Sequence, residues 1–479
     1  MGRPVSEKSS AEIRASLAHP VIDADGHTVE FFPALQPYLQ EEGVDPSHPE
    51  FWRIEAGHLG PPSDWHAHTP EERARHRISR GAWSGVAARA IDRATSLLPA
   101  LLYERLDDLG IDLSVIYPSF GLLFSTFDDD DVRRGACRSL NRFNAEFYQP
   151  FGDRLVSVAA IPMHTPSEAV DELRHAHELG FKAVVMPGWV QRPVAAVEEK
   201  WPEAARWSLW VDTFGIDSIY DYDAVWETCR QLGLSPSFHS SAMGWPNRRS
   251  VSSYVYNHIG MLGEAHHATA KSLVLGGVTR RFPDLGFCFL EGGVSWAVSL
   301  FADLIGHWGK RNARALEATD PGQADWVGFS RLFREYGGPW AEQPPPAGSW
   351  RESDRALFDE FAATGIERAE DFIELFSVPF FFGCEADDPG TATAFDARLN
   401  PFGVRLQALF GSDISHWDVP DMSEVVSESW EMVERGLLTE DAYRDFVFTN
   451  PVRLYTRTNP RFFEGTRVAD AVASVQETC

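Results

Sequence analysis

The sequence predicts an α/β fold, a (β/α)8 or TIM barrel with long insertions, as one domain over 1–479. Two observations lead there. Eight short runs are apolar along most of their length, and helical stretches separate them. Continuous apolar strands joined by helical crossovers mark a parallel sheet covered on its outer face. Eight such units suit a closed barrel, which buries a single core even in a long chain. A doubly wound open sheet is the structural alternative, but no Gly-rich phosphate loop follows the first run.

The runs come in order. VIDAD at 21–25 is the first, and DLSVIYPS at 112–119 follows LLYERLDDLGI, a helix ending at a Gly. LVSVAAIP at 155–162 follows RSLNRFNAEFYQPFGD, whose apolar residues recur at helical spacing. In SEAVDELRHAHELGFKAVVMPG, 167–188, a helix is closed by Gly180 and a β-rich strand occupies 181–186. LSPSFHS at 234–240 comes after AVWETCRQLG, and LGFCFLEGG at 285–293 after a helix, a Gly pair and the turn-like RFPD. PFFFGCE at 379–385 and LQALFGSD at 406–413 complete the series. Three segments exceed normal loop length: 41–100, 189–225 and 305–375. Insertions of this kind decorate a catalytic rim or build a subunit interface, so a homo-oligomer is expected.

Composition narrows the function. A net charge of −27 excludes nucleic acid and anionic membrane as natural partners. The five cysteines, Cys137, Cys229, Cys288, Cys384 and Cys479, are odd in number and widely spaced, which favours reduced thiols. The N-terminus has no apolar signal core and no run of membrane-spanning length follows, so a cytoplasmic location is expected. MGRPVS matches the loose myristoylation pattern, but the match is too short to weigh.

Barrels carry their chemistry at the C-terminal ends of the strands. Here Asp25 and His27 end the first strand, His239 the fifth, Glu291 the sixth and Asp413 the eighth. Residues at i and i+2 of a strand share a face, so Asp25 and His27 can grip one ion. Mixed nitrogen and oxygen donors suit Zn²⁺, Mn²⁺ or Fe²⁺ better than Ca²⁺. Such a cation also offsets the repulsion of carboxylates packed into a closed pocket. His416 lies three residues past Asp413, placed to donate to substrate, orient Asp413 or anchor its loop, while Asp23 is expected deeper, in a structural role. His164, His258, His266 and His267 are weaker candidates. His66 and His68 read as a solvated loop, Arg248 and Arg249 as a possible anion contact, and Trp245 and Trp296 as packing residues.

IDADGH, FHSSAMGW, RFPDLGFCFLEGGVSW and LFGSDISHWD together resemble the amidohydrolase superfamily. They are most similar to its amidohydrolase-2 branch of decarboxylases, hydratases and carbon–carbon hydrolases, typified by aminocarboxymuconate semialdehyde decarboxylase. NRFNAEFYQPFGDRLVSVAAIPMHTPSEAVDELRHAHELGFKAVVMPG extends the likeness over the second to fourth barrel units. The resemblance implies a divalent metal (Zn, Mn or Fe) and a small-molecule substrate. It implies metal ligands at Asp25 and His27, where members usually have two histidines, at His239, at Glu291, where a histidine is common, and at Asp413. An ion with an open position lowers the pKa of bound water to ~7. Asp413, with His239 and His416 as the other catalytic candidates, is expected to take the proton of that water and return it. The expected activity is metal-assisted hydrolysis of a C–C, ester, thioester or amide bond. Nonoxidative decarboxylation or hydration of an aromatic or unsaturated acid is the alternative on the same site, and a metal-free binding barrel is the non-enzymatic one.

Overall fold

The computed structural model describes residues 6–51, 63–81, 88–205, 207–239, 250–351 and 358–476. Strand occurs within each of the eight apolar runs. In chain order the strands are β1 (Ile22–Thr28), β2 (Leu113–Pro118), β3 (Leu155–Ser157), β4 (Ala159–Ala160), β5 (Ala183–Met186), β6 (Val190–Pro193), β7 (Leu209–Asp212), β8 (Ser235–Phe238), β9 (Phe287–Phe289), β10 (Phe380–Glu385) and β11 (Gln407–Gly411). β3 and β4 are the two halves of the predicted run at 155–162. β1, β2 and β3 pair in parallel, and β4, β5, β8, β9, β10 and β11 form a second parallel sheet. Between the halves of the split run, Val158 N–H donates to Ile116 of β2 at 3.1 Å. Just past β11, Asp413 N–H donates to the Asp25 carbonyl of β1 at 3.0 Å. Backbone bonds therefore tie the two sheets at both junctions.

The helices between strands form for reasons visible in their ends. Thr165 and Glu168 make a capping box ahead of Pro166–Glu178, with Pro166 in the first turn. Gly110 and Gly233 end Pro99–Leu109 and Asp223–Leu232 in the left-handed conformation that glycine adopts without penalty. Arg133, on the helix Asp130–Tyr148, pairs with Glu168 at 2.9 Å with both side chains buried, joining two covering helices. Rings pack from strand to strand: Phe238 on Phe289 at 5.3 Å, and Phe289 on Phe382 at 6.1 Å. Trp296 closes on the same group, a packing residue as the sequence predicts. The four described cysteines are free and buried. No helix among the described residues is long and apolar enough to cross a membrane.

The insertions carry structure of their own, the helical stretches expected in 305–375 and a hairpin that the sequence pattern did not reveal. Segment 189–225 opens with β6 and β7 as an antiparallel hairpin. Arg192 locks it, meeting Asp212 at 2.6 Å, the Tyr222 hydroxyl at 2.8 Å and the His164 carbonyl at 3.0 Å. Segment 305–375 begins inside the helix Ser295–Arg311 and holds a further helix, Trp326–Tyr336. The run at 285–293 is shorter as a strand than predicted: β9 stops at Phe289, so Glu291 stands in a loop.

Asp23 is the buried tie among β1, β2 and the end of β11. Its carboxylate accepts from Ser114 Oγ at 2.5 Å, Ser412 Oγ at 2.8 Å, Ser412 N–H at 2.9 Å and Asp25 N–H at 3.2 Å. The β1–β2 register slips between Asp23 and Gly26. A Cβ at 26 would collide with Ser114 Oγ and the Asp23 carboxylate, so this bulge requires glycine.

Two buried carboxyls outside the strand-end cluster are pushed up to about 7 by burial. Glu30 accepts from Phe120 N–H and Gly121 N–H, and Glu172 meets Asn141 and Arg138. Both hold a proton more tightly in the folded chain than at their ordinary value of 4.5. The native state thus binds extra protons between these values and loses stability as pH rises through that window. Glu30→Gln is expected to flatten the fall in urea midpoint over this range; a slope equal to that of the unchanged chain would contradict the assignment.

Candidate metal centre

Six side chains from four separate stretches of chain converge at the C-terminal ends of the strands. Asp25 lies within the β1 bulge and His27 just after it, in register with Tyr117 of β2. His239 follows β8, its N–H donating to Met186 of β5 at 3.3 Å. Glu291 follows β9. Asp413 and His416 follow β11. Glu291 and Asp413 both adopt left-handed backbone, with φ of 53° and 48°, and Ser415 between the last two has φ of 83°. Such conformations are costly for residues with a Cβ. Here the backbone bond from Asp413 to Asp25 and a 2.8 Å bond from Ser415 Oγ to the His27 carbonyl hold them.

The donor atoms face one another. His27 Nε2 lies 3.2 Å from His239 Nε2, 3.3 Å from Asp25 Oδ1, and 3.7 Å from both Glu291 Oε1 and Asp413 Oδ1. His239 Nε2 is 3.5 Å from Glu291 Oε2. His416 Nδ1 lies 2.6 Å from Asp413 Oδ1 and 3.0 Å from Glu291 Oε1, while its Nε2 meets Ser119 Oγ at 3.1 Å. All the predicted site residues are thus brought together, and all are nine-tenths or more buried. Among the described residues no lysine or arginine forms an ion pair with Asp25, Glu291 or Asp413.

Burial and crowding set the charges. Burial lifts the Asp25 carboxyl well above the usual range, against the pull of His239. Burial, and then Glu291 alongside, lift Asp413 in the same way. Burial also resists ionisation of Glu291, but His239 and His416 outweigh it and hold that carboxyl well below its ordinary value. For His239 burial opposes the imidazolium, yet Glu291 and Asp25 raise it to about 9. Burial and the neighbouring His416 and His239 rings keep His27 neutral.

This donor set fits a divalent cation. Two Nε2 atoms pointing at each other share at most one proton, so a hydrogen bond between them leaves no donor for the oxygens around them. Asp25 Oδ1 has no hydrogen-bond partner among the described residues. A cation amid these atoms would satisfy the lone pairs together and displace the protons. Among the described residues, both groupings of His, Cys, Asp and Glu atoms near enough to share an ion lie here: His27, Glu291, Asp413 and His416, and Asp25, His27 and His239.

A cavity of about 260 Å³ adjoins the cluster, lined by Glu291, Glu385, Asp388, His258 and Met261 among others. His258 also faces Asp418 at 3.7 Å and packs on Trp417. A cavity of about 230 Å³ near Leu155 and Lys182, on the opposite side of the strands, holds no such cluster. His266 sits behind the centre with Nε2 2.6 Å from the Leu290 carbonyl, and His267 lies beside Trp296. His164 is partly buried near Glu168, away from the cluster. His68 is exposed beside Glu72, and His66 lies against Trp65. Arg248, Arg249 and Trp245 lie outside the described residues.

Sequence reasoning overlooked Ser119 and Glu385. Ser119 is the last residue of the second predicted strand and Glu385 the last of the seventh, so the strand-end rule applied to all eight runs would have found both.

The parallel α/β fold and the mixed imidazole–carboxylate cluster define a class of metal-dependent enzymes. The amidohydrolase family model matches residues 63–457. The chain belongs to that family and is a metal-dependent enzyme of its superfamily, hydrolase or decarboxylase. No curated protein matches it in sequence. Among solved structures, it is similar to an amidohydrolase from Mycobacterium avium subsp. paratuberculosis K-10, with a TM-score of 0.50 and 14% identity over 92% of this chain and 100% of that one. It is also similar to a dihydroxybenzoic acid decarboxylase from Polaromonas sp. JS666, solved with manganese and 2-nitroresorcinol, with a TM-score of 0.49 and 14% identity over 93% and 99% of the two chains. A 5-carboxyvanillate decarboxylase from Novosphingobium aromaticivorans DSM 12444, with bound manganese, has a TM-score of 0.46 and 13% identity over 92% and 96%.

Adding Mn²⁺ or Zn²⁺ to metal-stripped protein is expected to raise its thermal midpoint and a chelator to lower it again. At about 100-fold over Kd the gain is about 2.7 kcal/mol. Asp25→Ala is expected to lose most of that gain. Identical melting curves with and without either ion would contradict the centre.

Proposed function

We propose that the chain is a metal-dependent hydrolase whose centre is held by Asp25, His27, His239, Glu291 and Asp413, with Zn²⁺, Mn²⁺ or Fe²⁺ as the ion. The observation that carries this reading is the convergence of these five side chains beside an open cavity. The ion supplies Lewis acidity and lowers the pKa of a water it binds to about 7. Asp413 is the group that takes a proton at its carboxylate and returns it to the leaving group. Its place in the cluster, with Oδ1 2.6 Å from His416 Nδ1 and 3.7 Å from His27 Nε2, suits it to that exchange. His416, with Nδ1 on Asp413, orients that carboxylate, and His239 completes the catalytic set.

The substrate is a small molecule with a polarisable carbonyl, bound in the cavity through its C–C, ester, thioester or amide bond. Glu291, Glu385 and Asp388 line that cavity, and no lysine or arginine does so among the described residues. Such walls favour a substrate without a free carboxylate, and so hydrolysis over decarboxylation.

The same reading closes both sheets into one (β/α)8 barrel over a single domain, with 41–100, 189–225 and 305–375 as insertions. The bonds from Val158 to Ile116 and from Asp413 to Asp25 support closure. Apolar residues exposed on the second and third insertions, Trp207, Ile219, Tyr336 and Trp340, support a second copy of the chain as partner.

Asp413→Asn is expected to abolish turnover while leaving the circular dichroism spectrum and thermal midpoint of the apo-protein near those of the unchanged chain. With any substrate turned over, oxygen from ¹⁸O-labelled water should enter the product. Release of CO₂ without label would overturn hydrolysis in favour of decarboxylation, and an active Asp413→Asn variant would remove Asp413 from the mechanism.

A further inference from the structure

We propose that Ser119 is a positioning residue for this centre, its hydroxyl holding the His416 ring so that the ring in turn holds Asp413 and Glu291. The proposal rests on the reading of the centre given above. His416 is engaged at both ring nitrogens: Nε2 meets Ser119 Oγ at 3.1 Å, and Nδ1 lies 2.6 Å from Asp413 Oδ1 and 3.0 Å from Glu291 Oε1. With the proposed ion in place both carboxylates are ionised and only accept, so Nδ1 carries the ring proton and Nε2 is left to accept the Ser119 hydroxyl proton. Turning the ring over would exchange nitrogens for carbons at both edges and break both contacts. The hydroxyl at 119 therefore selects the rotamer that the carboxylates need.

Three features separate this from an ordinary buried serine. Most side-chain hydrogen bonds run to backbone or water, whereas this one runs to a histidine of the cluster. Both carboxylates that His416 touches stand on left-handed backbone outside any strand, at φ of 53° and 48°. Regular strand hydrogen bonding does not aim them, so a shared side-chain anchor matters more. Ser119 itself is anchored from β1: its N–H donates to the Thr28 carbonyl at 3.1 Å, and Phe120 and Gly121 N–H donate to Glu30. A path of hydrogen bonds thus leads from the extension of β1, through the end of β2, to the loop after β11.

Outer partners that orient metal-binding groups typically change metal affinity or activity by roughly 10–100-fold when removed. Ser119→Ala, folded as judged by circular dichroism and thermal midpoint, is expected to bind Mn²⁺ more weakly by roughly that factor or to lose roughly that factor in kcat. The binding assay is competition with a chromophoric chelator. KM should stay close to that of the unchanged chain. Ser119→Thr, which restores the hydroxyl, is expected to recover both quantities. Ser119→Cys keeps the size with a poor donor and should move with alanine, which keeps the proposal exposed if the alanine variant does not fold. Unchanged chain that binds Mn²⁺ tightly, beside Ala and Cys variants equal to it in affinity and kcat, would overturn the role of Ser119 alone. Unchanged chain that binds no divalent ion would overturn the reading of the centre, and this proposal with it.

Discussion

Three carboxylates and three imidazoles share a space from which water is largely excluded, and the arrangement around them follows from that crowding. Asp25, Glu291 and Asp413 cannot all ionise at such separations without compensating charge. The protein supplies part of it from the His239 imidazolium, which Glu291 and Asp25 favour, not from arginine or lysine, among the described residues. A cation can displace protons from those rings. A buried arginine would instead neutralise the carboxylates permanently. The pocket is thus left able to accept an ion, which is the difference between a structural ion-pair network and a binding site.

Keeping that pocket in place requires departures from regular structure. The β1 bulge contains Asp25, precedes His27 and depends on Gly26 lying against Ser114 and Asp23. Glu291, Asp413 and Ser415 hold left-handed backbone that costs on the order of 1–3 kcal/mol each. Those costs are offset locally. Asp23 collects four hydrogen bonds, Asp413 is pinned to Asp25, and Ser415 to the His27 carbonyl. The stacked rings of Phe238, Phe289 and Phe382 form a stiff base within the strands that carry His239 and Glu291. Strain at the strand ends is tolerated because the apolar core beneath it holds the strands in register.

The eight strands were legible because burial on both faces of a parallel sheet leaves an unbroken apolar run, as in FKAVVM or PFFFGC. The cluster was legible because the strand-end rule converts sequence position into place: Asp25, His27, His239, Glu291 and Asp413 each follow an apolar run. What escaped has a physical reason too. β9 ends at Phe289, two residues before Glu291, and the left-handed turn that aims this side chain leaves no pattern of alternation to read. Ser119 gave no signal as a residue type, since one hydroxyl gains meaning only from the histidine almost three hundred residues away that it touches. The hairpin of β6 and β7 lay inside a segment dense in tryptophan and charge, where neither a period of two nor one of 3.6 stands out.

The carboxylates at 25 and 291, where the sequence resemblance implies histidines, act through charge. This chain has Asp25 with His27 on the first strand, and Glu291 after the sixth. On the proposed ligand set, one divalent ion among three ionised carboxylates and two neutral imidazoles leaves a net charge of about −1. Two more imidazoles in place of Asp25 and Glu291 would make it about +1. A more negative shell donates more strongly and weakens the ion's pull on electrons of bound groups, and its oxygen-rich donors suit harder cations such as Mn²⁺ better than Zn²⁺. It also raises the value of every hydrogen bond that withdraws charge from the carboxylates. His416 gives its Nδ1 proton to that task, and its Nε2 is steadied by a hydroxyl. The bond between Ser119 and His416 is therefore the outer end of a compensation that begins with a carboxylate at position 25.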